Sequence, residues 1–346
     1  MQRTDKHNAT PQGKRAARAL LLAALLLAAR PALAAAGAVL QKGSPDSVGV
    51  SPGRLASALT RMAELVDADV MAGAVVLVAR NGVIVAEQAF GLADVENSIP
   101  FRNDTICAMA SVTKPVTATA VMILAGQGKL NIDDPVEKYL PAFGSQQLVV
   151  DGQPRGHRAI TLRQLLTHTS GLPQDVPSRK LPYMDRGWLS RTLPSIADEA
   201  AKMDLRFEPG TRYSYSSAGV AVLGRTVEVV SGQPFDAFQK TRLFGPLGMA
   251  DTSFQPPASA AGRVAVLYAD RDGKREAYYR FDPAFRITNP APNGGLFSTA
   301  RDMAAFVQMY LNRGEYNGVQ VLGSGEVRLM LSDQTPQLPQ MRGLGW

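Results

Sequence analysis

The sequence predicts an α/β (α+β) fold in which an antiparallel sheet, flanked by helices, hosts an inserted all-helical subdomain. Two β-rich runs, 72–79 and 83–90, are joined by Asn81-Gly82, and Asn-Gly between apolar runs is a strong hairpin signal. The middle of the chain is helical and interrupted by loops, and an amphipathic helical run follows it. Because a sheet and its helices must bury one face against each other, we expect both ends of the chain to form one layer. The predicted domain covers 35–346, with the α/β layer at about 44–125 and 290–346 and the helical subdomain at about 126–289.

Capping residues and periodicity predict the remaining elements in order. Ser51-Pro52 is a typical N-cap and first-turn pair, which predicts a helix over 52–66. A second helix is predicted over 111–125, where it meets Gly126. A Thr161–Gln164 capping box predicts a helix at 162–166, and Asp302, which completes a cap on Thr299, predicts one at 299–311. Further helices are predicted at 195–203, 218–230 and 234–243. Short strands are predicted at 264–269 and 277–281.

The N-terminus has the order of a secretory signal peptide, predicted over 1–34. Basic residues precede an unbroken Ala/Leu run at 19–29, and Ala32-Leu33-Ala34 offers small residues for cleavage. An uncleaved membrane anchor is the alternative, but an apolar run of eleven residues is too short to span a bilayer. We therefore expect a periplasmic or secreted protein without a stable membrane span.

Charge and cysteine content exclude some functions. The chain has 37 Lys+Arg and 30 Asp+Glu, but residues 1–34 carry six of the basic residues and one acid, which leaves about +2 for the rest. This balance gives no support for nucleic-acid binding. Cys107 is the only cysteine, so no disulfide framework is expected, and we interpret it as a small buried residue rather than a second nucleophile.

The tetrapeptide Ser111-Val112-Thr113-Lys114 pairs a candidate nucleophile with a candidate base. A serine hydroxyl is unreactive at neutral pH unless a neighbouring group takes its proton, and residues at i and i+3 share one face of a helix. Pro115 is compatible with a first helical turn, where free N–H groups favour negative charge developing on an attacked carbonyl. The alternative is coincidence, since such a spacing arises about once by chance in a chain of this length.

A tyrosine and two histidines complete the polar candidates. Tyr215 lies on a turn before a helix, and a nearby ammonium favours the phenolate, so Tyr215 is a candidate to share proton abstraction with Lys114. The alternative is a loop tyrosine whose ring packs while its hydroxyl is hydrated. After the predicted leader, histidine occurs only at His157 and His168, and we expect His168 to cap or hydrogen-bond at a helix end. Neither has ligand-spaced partners, so no metal and no other cofactor is expected.

A rival nucleophile motif occurs near the start of the domain. Gly49-Val50-Ser51-Pro52-Gly53 matches the Gly-x-Ser-x-Gly elbow of Ser-His-Asp hydrolases. That elbow uses the N–H of the residue after the serine for its oxyanion hole, and a proline has no N–H. We therefore interpret Ser51 as a helix cap.

Several short motifs occur together in a family-specific order. These are Ser111-x-x-Lys114, Leu165-Leu166-Thr167-His168-Thr169-Ser170-Gly171-Leu172, Pro209-Gly210-Thr211, Pro246-Leu247-Gly248-Met249 and Gly294-Gly295-Leu296-Phe297-Ser298-Thr299. With them the chain resembles the serine β-lactamase-related family over about 44–346. That family includes class C β-lactamases, D-alanyl-D-alanine carboxypeptidases, D-amino-acid peptidases and β-lactamase-like esterases.

The resemblance implies a β-lactamase/transpeptidase-like fold and a serine hydrolase that forms an acyl-enzyme on an ester or amide, including a β-lactam or a D-Ala peptide. Ser111 would be the nucleophile, Lys114 its base and Tyr215 the tyrosine of a Tyr-x-Asn motif. The implied partner is a small-molecule or peptide substrate, and cell-wall association is compatible with it. A penicillin receptor, or a binding module that acylates without turnover, is the alternative.

The chain departs from the family pattern in the Tyr-x-Asn motif. The asparagine of that motif falls on Ser217, whose shorter side chain lacks the paired donor and acceptor of an amide, and this favours esters over lactams. Gly294 and Gly295 are candidates for close backbone approach to the substrate cleft, with a turn entering the next helix as the equal alternative.

The third family motif is the larger departure. A Lys-Thr-Gly or His-x-Gly strand should follow a segment like Gly343-Leu344-Gly345-Trp346, where this sequence stops. In the family that strand supplies one of the two N–H donors of the oxyanion hole, and one such donor is worth about 100- to 1000-fold in rate. We therefore expect the closing strands and helix to lie beyond Trp346 in the natural protein, and the activity of the 346-residue chain to depend on them.

Overall fold

The computed structural model describes residues 39–179 and 184–346. The predicted signal peptide lies outside the described residues. The strands are β1 (Gln41–Lys42), β2 (Gly73–Arg80), β3 (Val83–Asp94), β4 (Ile99–Pro100), β5 (Cys107–Ala108), β6 (Leu148–Val150), β7 (Gln153–Arg155), β8 (Leu267–Arg271), β9 (Lys274–Tyr279), β10 (Phe297–Ser298), β11 (Glu315–Tyr316) and β12 (Val319–Gln320). The helices are α1 (Pro52–Asp67), α2 (Thr113–Gly126), α3 (Leu162–Leu166), α4 (Arg186–Leu189), α5 (Leu193–Ala201), α6 (Ser217–Ser231), α7 (Phe235–Gln239), α8 (Gly245–Leu247), α9 (Ala300–Leu311) and α10 (Ser324–Leu331).

The main sheet is built on the predicted hairpin. Asn81 and Gly82 both have positive φ, 53° and 79°, the conformation of a type I′ turn, and β2 and β3 pair antiparallel on either side of it. Strand β4 also pairs antiparallel with β3, whereas β1 pairs with β3 in parallel. Helix α1 packs against β3 and helix α9 against β2, which confirms the predicted sheet with flanking helices.

Helix α2 lies in the hydrophobic core. Its residues Val116, Val121 and Leu124 have no exposed surface, and the helix packs against α6. The prediction placed the helix start at Ser111, but the α-helix begins at Thr113, after a single 3₁₀ turn over Ala110–Val112. Among the described residues, no helix combines the length and the apolarity needed to cross a bilayer.

The region 126–289 is mainly helical but not all-helical. The predicted Thr161–Gln164 capping box is present, and helices α5 and α6 lie within two residues of their predicted positions. The same region also contains two antiparallel hairpins, β6–β7 and β8–β9. The second hairpin was predicted with its strands displaced by a few residues, and the first was not predicted. A π-helical turn over Lys240–Phe244 interrupts the helix predicted at 234–243.

One short strand pair joins the early and late parts of the α/β layer. Phe297 of β10 pairs with Ala108 of β5, and Ser298 pairs with Cys107. The pairing places the Gly294–Thr299 motif beside the residues that lead into helix α2. The start of α2 is therefore held by a segment about 180 residues later in the chain.

Candidate active site

The backbone around Ser111 is held in an unusual conformation. Ala110 has a φ of 45°, a left-handed value that costs a non-glycine residue about 1 to 2 kcal/mol. Hydrogen bonds from the neighbouring segment hold it there: the N–H of Met109 donates to the carbonyl of Leu296 at 2.7 Å, and the N–H of Leu296 donates to Oγ1 of Thr113 at 3.2 Å. That hydroxyl in turn donates to the carbonyl of Ala110 at 2.7 Å. The strained turn fixes Ser111 at the surface, where it is exposed.

Two of the predicted residues, Lys114 and Tyr215, meet at the hydroxyl of the third, Ser111. Nζ of Lys114 donates to Oγ of Ser111 at 3.0 Å, and the hydroxyl of Tyr215 donates to the same oxygen at 2.9 Å. Nζ of Lys114 also lies 4.8 Å from the centre of the Tyr215 ring. The nucleophile, the base and the phenol singled out from the sequence therefore form one hydrogen-bonded group.

Lys114 is buried beside the exposed serine. It is 5% exposed, and its Nζ donates a second hydrogen bond, 2.5 Å long, to the backbone carbonyl of Asn293. Burial lowers the pKa of Lys114 to about 8, and the positive charge of Arg179 adds to this effect while Asp175 opposes it. A substantial share of Lys114 is therefore neutral near pH 8 and able to accept a proton.

The loop that carries Tyr215 is fixed at the start of helix α6. Oγ of Ser216 accepts the N–H of Gly219 at 3.0 Å, which caps the helix, and donates to the carbonyl of Pro173 at 2.7 Å. Ser217 is the first residue of the helix, and its N–H donates to the carbonyl of Gln174 at 2.7 Å. Ser217 is buried immediately beside this anchored loop, and its role in substrate binding stays a prediction.

Gly294 and Gly295 form a tight turn behind Lys114. The N–H groups of both glycines donate to the carbonyl of Ala291, at 2.8 and 2.7 Å. A side chain at Gly295 would place its Cβ 2.5 Å from the carbonyl oxygen of Pro290, so glycine is required by close backbone approach. The turn presents the carbonyl of Asn293 to Lys114, a contact that the sequence analysis missed. Approach of these glycines to a substrate stays a prediction.

Comparison with known proteins identifies the family. A family model described as beta-lactamase matches residues 60–346. The chain belongs to the beta-lactamase family.

Esterase EstB of Burkholderia gladioli is 36% identical over 259 residues, which cover 67% of this chain and 64% of that protein. Penicillin-binding protein 4 of Amycolatopsis lactamdurans is 32% identical over 246 residues, covering 70% of this chain and 61% of that protein. The solved structure of EstCE1, a hydrolase with promiscuous acyltransferase activity, has a TM-score of 0.68 at 26% identity and covers 85% of this chain and 82% of its own. The predicted family and fold class are thus confirmed.

The two histidines occupy different environments in this beta-lactamase-family fold. Both ring nitrogens of His157 contact backbone carbonyls, of Arg158 at 2.7 Å and of Gln146 at 2.8 Å, and these contacts place it in a loop of the helical region. His168 is 2% exposed, and its ring packs on that of Tyr215 with 4.7 Å between centroids. The sequence analysis placed His168 at a helix end but did not connect it with Tyr215.

The rival motif and the cysteine lie in structural roles. Oγ of Ser51 accepts the N–H of Arg54 at 3.4 Å as the N-cap of helix α1, as predicted. Cys107 was expected to be buried, but in strand β5 it is partly exposed. The partial burial of its thiol raises the pKa of Cys107 to about 11. Within 39–179 and 184–346, no three His, Cys, Asp or Glu side chains are grouped so that they would hold a metal ion.

Proposed function

We propose that this protein is a serine hydrolase that acts by acyl transfer through Ser111. The observation that carries the proposal is the pair of hydrogen bonds to Oγ of Ser111, from Nζ of Lys114 at 3.0 Å and from the hydroxyl of Tyr215 at 2.9 Å. Either group can relay the serine proton once Lys114 is neutral. Membership of the beta-lactamase family and the similarity to esterase EstB support a hydrolase.

The proposed reaction has two steps. Neutral Lys114 takes the proton of Ser111 while Oγ bonds to the carbonyl carbon of the substrate, and the carbonyl oxygen becomes an oxyanion. The proton then passes through Tyr215 to the leaving alcohol or amine as its bond to the carbonyl carbon breaks, which leaves an ester on Ser111. Water then attacks that ester while the same pair takes one of its protons. As the acyl–Oγ bond breaks, the pair returns the proton to Oγ of Ser111, and the acid is released.

We propose esters as the preferred substrates. Ser217 stands where the family motif has an asparagine, and a hydroxyl does not offer the paired donor and acceptor with which an amide side chain holds a substrate amide. An ester places less demand on that contact because it has no N–H to bind. The similarity to esterase EstB supports this choice.

Replacement of the nucleophile tests the proposal. In the full-length protein, Ser111→Ala should reduce hydrolysis of a chromogenic short-chain ester by at least about 1000-fold, because no other group can form the acyl-enzyme. The matched control is Ser51→Ala, which removes the serine of the rival motif and should leave turnover unchanged while costing about 1 kcal/mol of stability. Undiminished hydrolysis by Ser111→Ala would contradict the assignment.

The similarity to penicillin-binding protein 4 favours a second candidate, a receptor that acylates without turnover. The same ester assay separates the two by its time course. Steady release of product over many equivalents indicates a hydrolase. A burst of one equivalent that depends on Ser111, followed by no further release, indicates a receptor.

A further inference from the structure

His168 contacts three consecutive residues around Tyr215. Its carbonyl accepts the N–H of Ser214 at 2.9 Å, and its Nδ1 accepts the N–H of Ser216 at 3.2 Å. Between these two hydrogen bonds, its ring packs on the ring of Tyr215 with centroids 4.7 Å apart and planes tilted by 37°. The ring of Tyr213 lies nearly perpendicular to the imidazole, with 6.2 Å between the ring centroids.

The imidazole is built to act as a neutral acceptor. Nδ1 must be unprotonated because it accepts the N–H of Ser216, so the ring proton lies on Nε2. Burial lowers the pKa of His168 to about 3, and the positive charges of Arg342 and Lys114 add to this effect. The ring is therefore uncharged throughout the pH range in which Lys114 titrates, and its contacts with the Tyr215 loop do not change there.

The backbone of His168 has a positive φ. Its φ is 59°, in the left-handed region that glycine adopts with least strain and that Asn, Asp and His enter more often than other residues. Such a residue ends helix α3, and a glycine would serve that purpose with less strain. The ring nitrogen and the ring face are what a glycine lacks, and both are used on the Tyr215 loop.

We propose that His168 is a positioning residue that holds the hydroxyl of Tyr215 against Ser111 by fixing the backbone on both sides of Tyr215 and supporting its ring. This inference rests on the proposed hydrolase function. The ring of Tyr215 packs on the imidazole and also lies 4.8 Å from Nζ of Lys114, so loss of the imidazole face removes a packing partner and lets the phenol swing away from Ser111. A displacement of about 1 Å at a reacting group can cost about 100-fold in rate.

Two substitutions separate the two contacts of His168. His168→Asn tolerates the left-handed φ and places Oδ1 where Nδ1 was, so it keeps the acceptor for Ser216 and loses the ring. We expect its kcat/KM for a chromogenic ester, measured per folded molecule, to fall about 10- to 100-fold, with a lower Tm from the space that the ring leaves. His168→Phe keeps a ring against Tyr215 but leaves the Ser216 N–H unpaired, so we expect a lower Tm and a smaller loss of activity per folded molecule.

A double-mutant cycle with Tyr215→Phe gives the decisive measurement. If His168 acts through the hydroxyl of Tyr215, His168→Asn should change the rate less than about 2-fold once that hydroxyl is absent. Acylation of Ser111 by an activated ester, followed over hours at fixed amounts of folded protein, keeps slow variants measurable. The positioning role would be overturned if His168→Asn lowered the rate equally in the wild type and in Tyr215→Phe. It would also be overturned if His168→Asn caused no loss of rate in the wild type.

Ser111→Ala in the same assay distinguishes a failure of the proposed hydrolase function from a failure of the positioning role of His168. If Ser111→Ala is acylated as fast as the wild type, the proposed function fails whatever the cycle gives. If Ser111→Ala is inert and the His168 losses are additive with Tyr215→Phe, only the positioning role fails.

Discussion

Lys114 shows how one buried side chain connects stability with chemistry. A lysine in water is almost fully protonated at neutral pH and cannot act as a base. Burial beside the exposed Ser111 disfavours its charge, and Arg179 adds to the effect. The same burial that would let Lys114 act as the proposed base also makes its protonated form unfavourable for folding.

The pH dependence of hydrolysis follows from this titration. Because Lys114 must be neutral to accept a proton and its pKa is about 8, kcat/KM for an ester should rise with pH and level off above about 8. Below that value it should fall about tenfold per pH unit. Initial rates from about pH 5 to about pH 9.5 in overlapping buffers measure this profile, and a flat profile down to about pH 5 would contradict the role of Lys114.

Removal of the buried charge should stabilise the fold. The pKa of Lys114 falls from 10.5 to about 8 on folding, which corresponds to about 3 kcal/mol of unfavourable free energy for the protonated form at pH 7. Lys114→Met should therefore abolish hydrolysis and raise Tm at pH 7, by less than the full amount because the carbonyl of Asn293 loses its donor.

The sign of the pH dependence provides a second check on Lys114→Met. The folded pKa lies below the unfolded one, so the penalty is complete below pH 8 and fades as the pH rises toward 10.5. The gain in Tm should shrink over the same interval. Lys129→Met, at an exposed lysine, is the control and should change Tm little at either pH. A lower Tm for Lys114→Met at pH 7 would show that its hydrogen bonds outweigh its desolvation.

At the scale of elements, local signals were reliable where one short segment decides the structure. A turn or a helix cap depends on backbone groups within a few residues of it, so such features could be predicted. The examples are Asn81-Gly82, Ser51-Pro52 and the Thr161–Gln164 capping box. The predicted cap between Thr299 and Asp302 is also present, because the N–H of Asp302 donates to Oγ1 of Thr299. The carboxylate of Asp302 could not be predicted, because it accepts hydrogen bonds from the N–H of Asp251 and the hydroxyl of Thr252, which are remote in sequence.

The candidate site divides in the same way. Ser111 and Lys114 belong to one motif with fixed spacing, and the resemblance to the family added Tyr215 to this pair. The carbonyl of Asn293 and the ring of His168 reach the site only through tertiary packing, and a carbonyl has no sequence signature. The left-handed backbone of His168 carries none either, since histidine tolerates a positive φ but does not require one.

Packing of helix α6 against the 290–295 turn makes Gly224 a sensitive position. Alanine is normally about 1 kcal/mol better than glycine inside a helix. A Cβ at Gly224 would lie 2.8 Å from Cβ of Pro292, close enough to push the turn that presents Asn293 to Lys114. Gly224→Ala should therefore cost about 1 to 3 kcal/mol and also lower kcat.

A matched glycine shows the opposite sign. Gly53 lies in helix α1, and a Cβ there meets no atom within 4 Å, so Gly53→Ala should stabilise by up to about 1 kcal/mol. Urea unfolding of both variants, together with ester turnover, measures the contrast. Equal stabilisation by the two substitutions would show that the turn yields without cost and that Asn293 is not held by this packing.

On the scale of the whole molecule, the proposed nucleophile, Ser111, depends on contacts between distant parts of the chain. Strand β5 leads into Ser111 and pairs with β10, and the 290–295 turn before β10 supplies the carbonyl for Lys114. Tyr215 comes from the helical region between them. The site can therefore form only after the layer has closed around that region, so loss of tertiary packing should remove activity before it removes the local helices.

We propose that residues 1–34 direct the protein out of the cytoplasm and are then removed. A basic stretch, an apolar run and a small-residue site are read in that order by export machinery, and cleavage after Ala34 would make Ala35 the first residue.

Leu26→Arg places a charge in the middle of the apolar run, which costs about 3 kcal/mol for insertion, and should leave an uncleaved protein inside the cell. Leu331→Arg makes the same change at an exposed leucine of helix α10 and should be exported normally. Fractionation of expressing bacteria, with mass spectrometry of the N-terminal peptide, measures both effects. A wild-type protein that keeps Met1 in the membrane fraction would favour the anchor alternative, and one that keeps Met1 in the cytoplasm would contradict export.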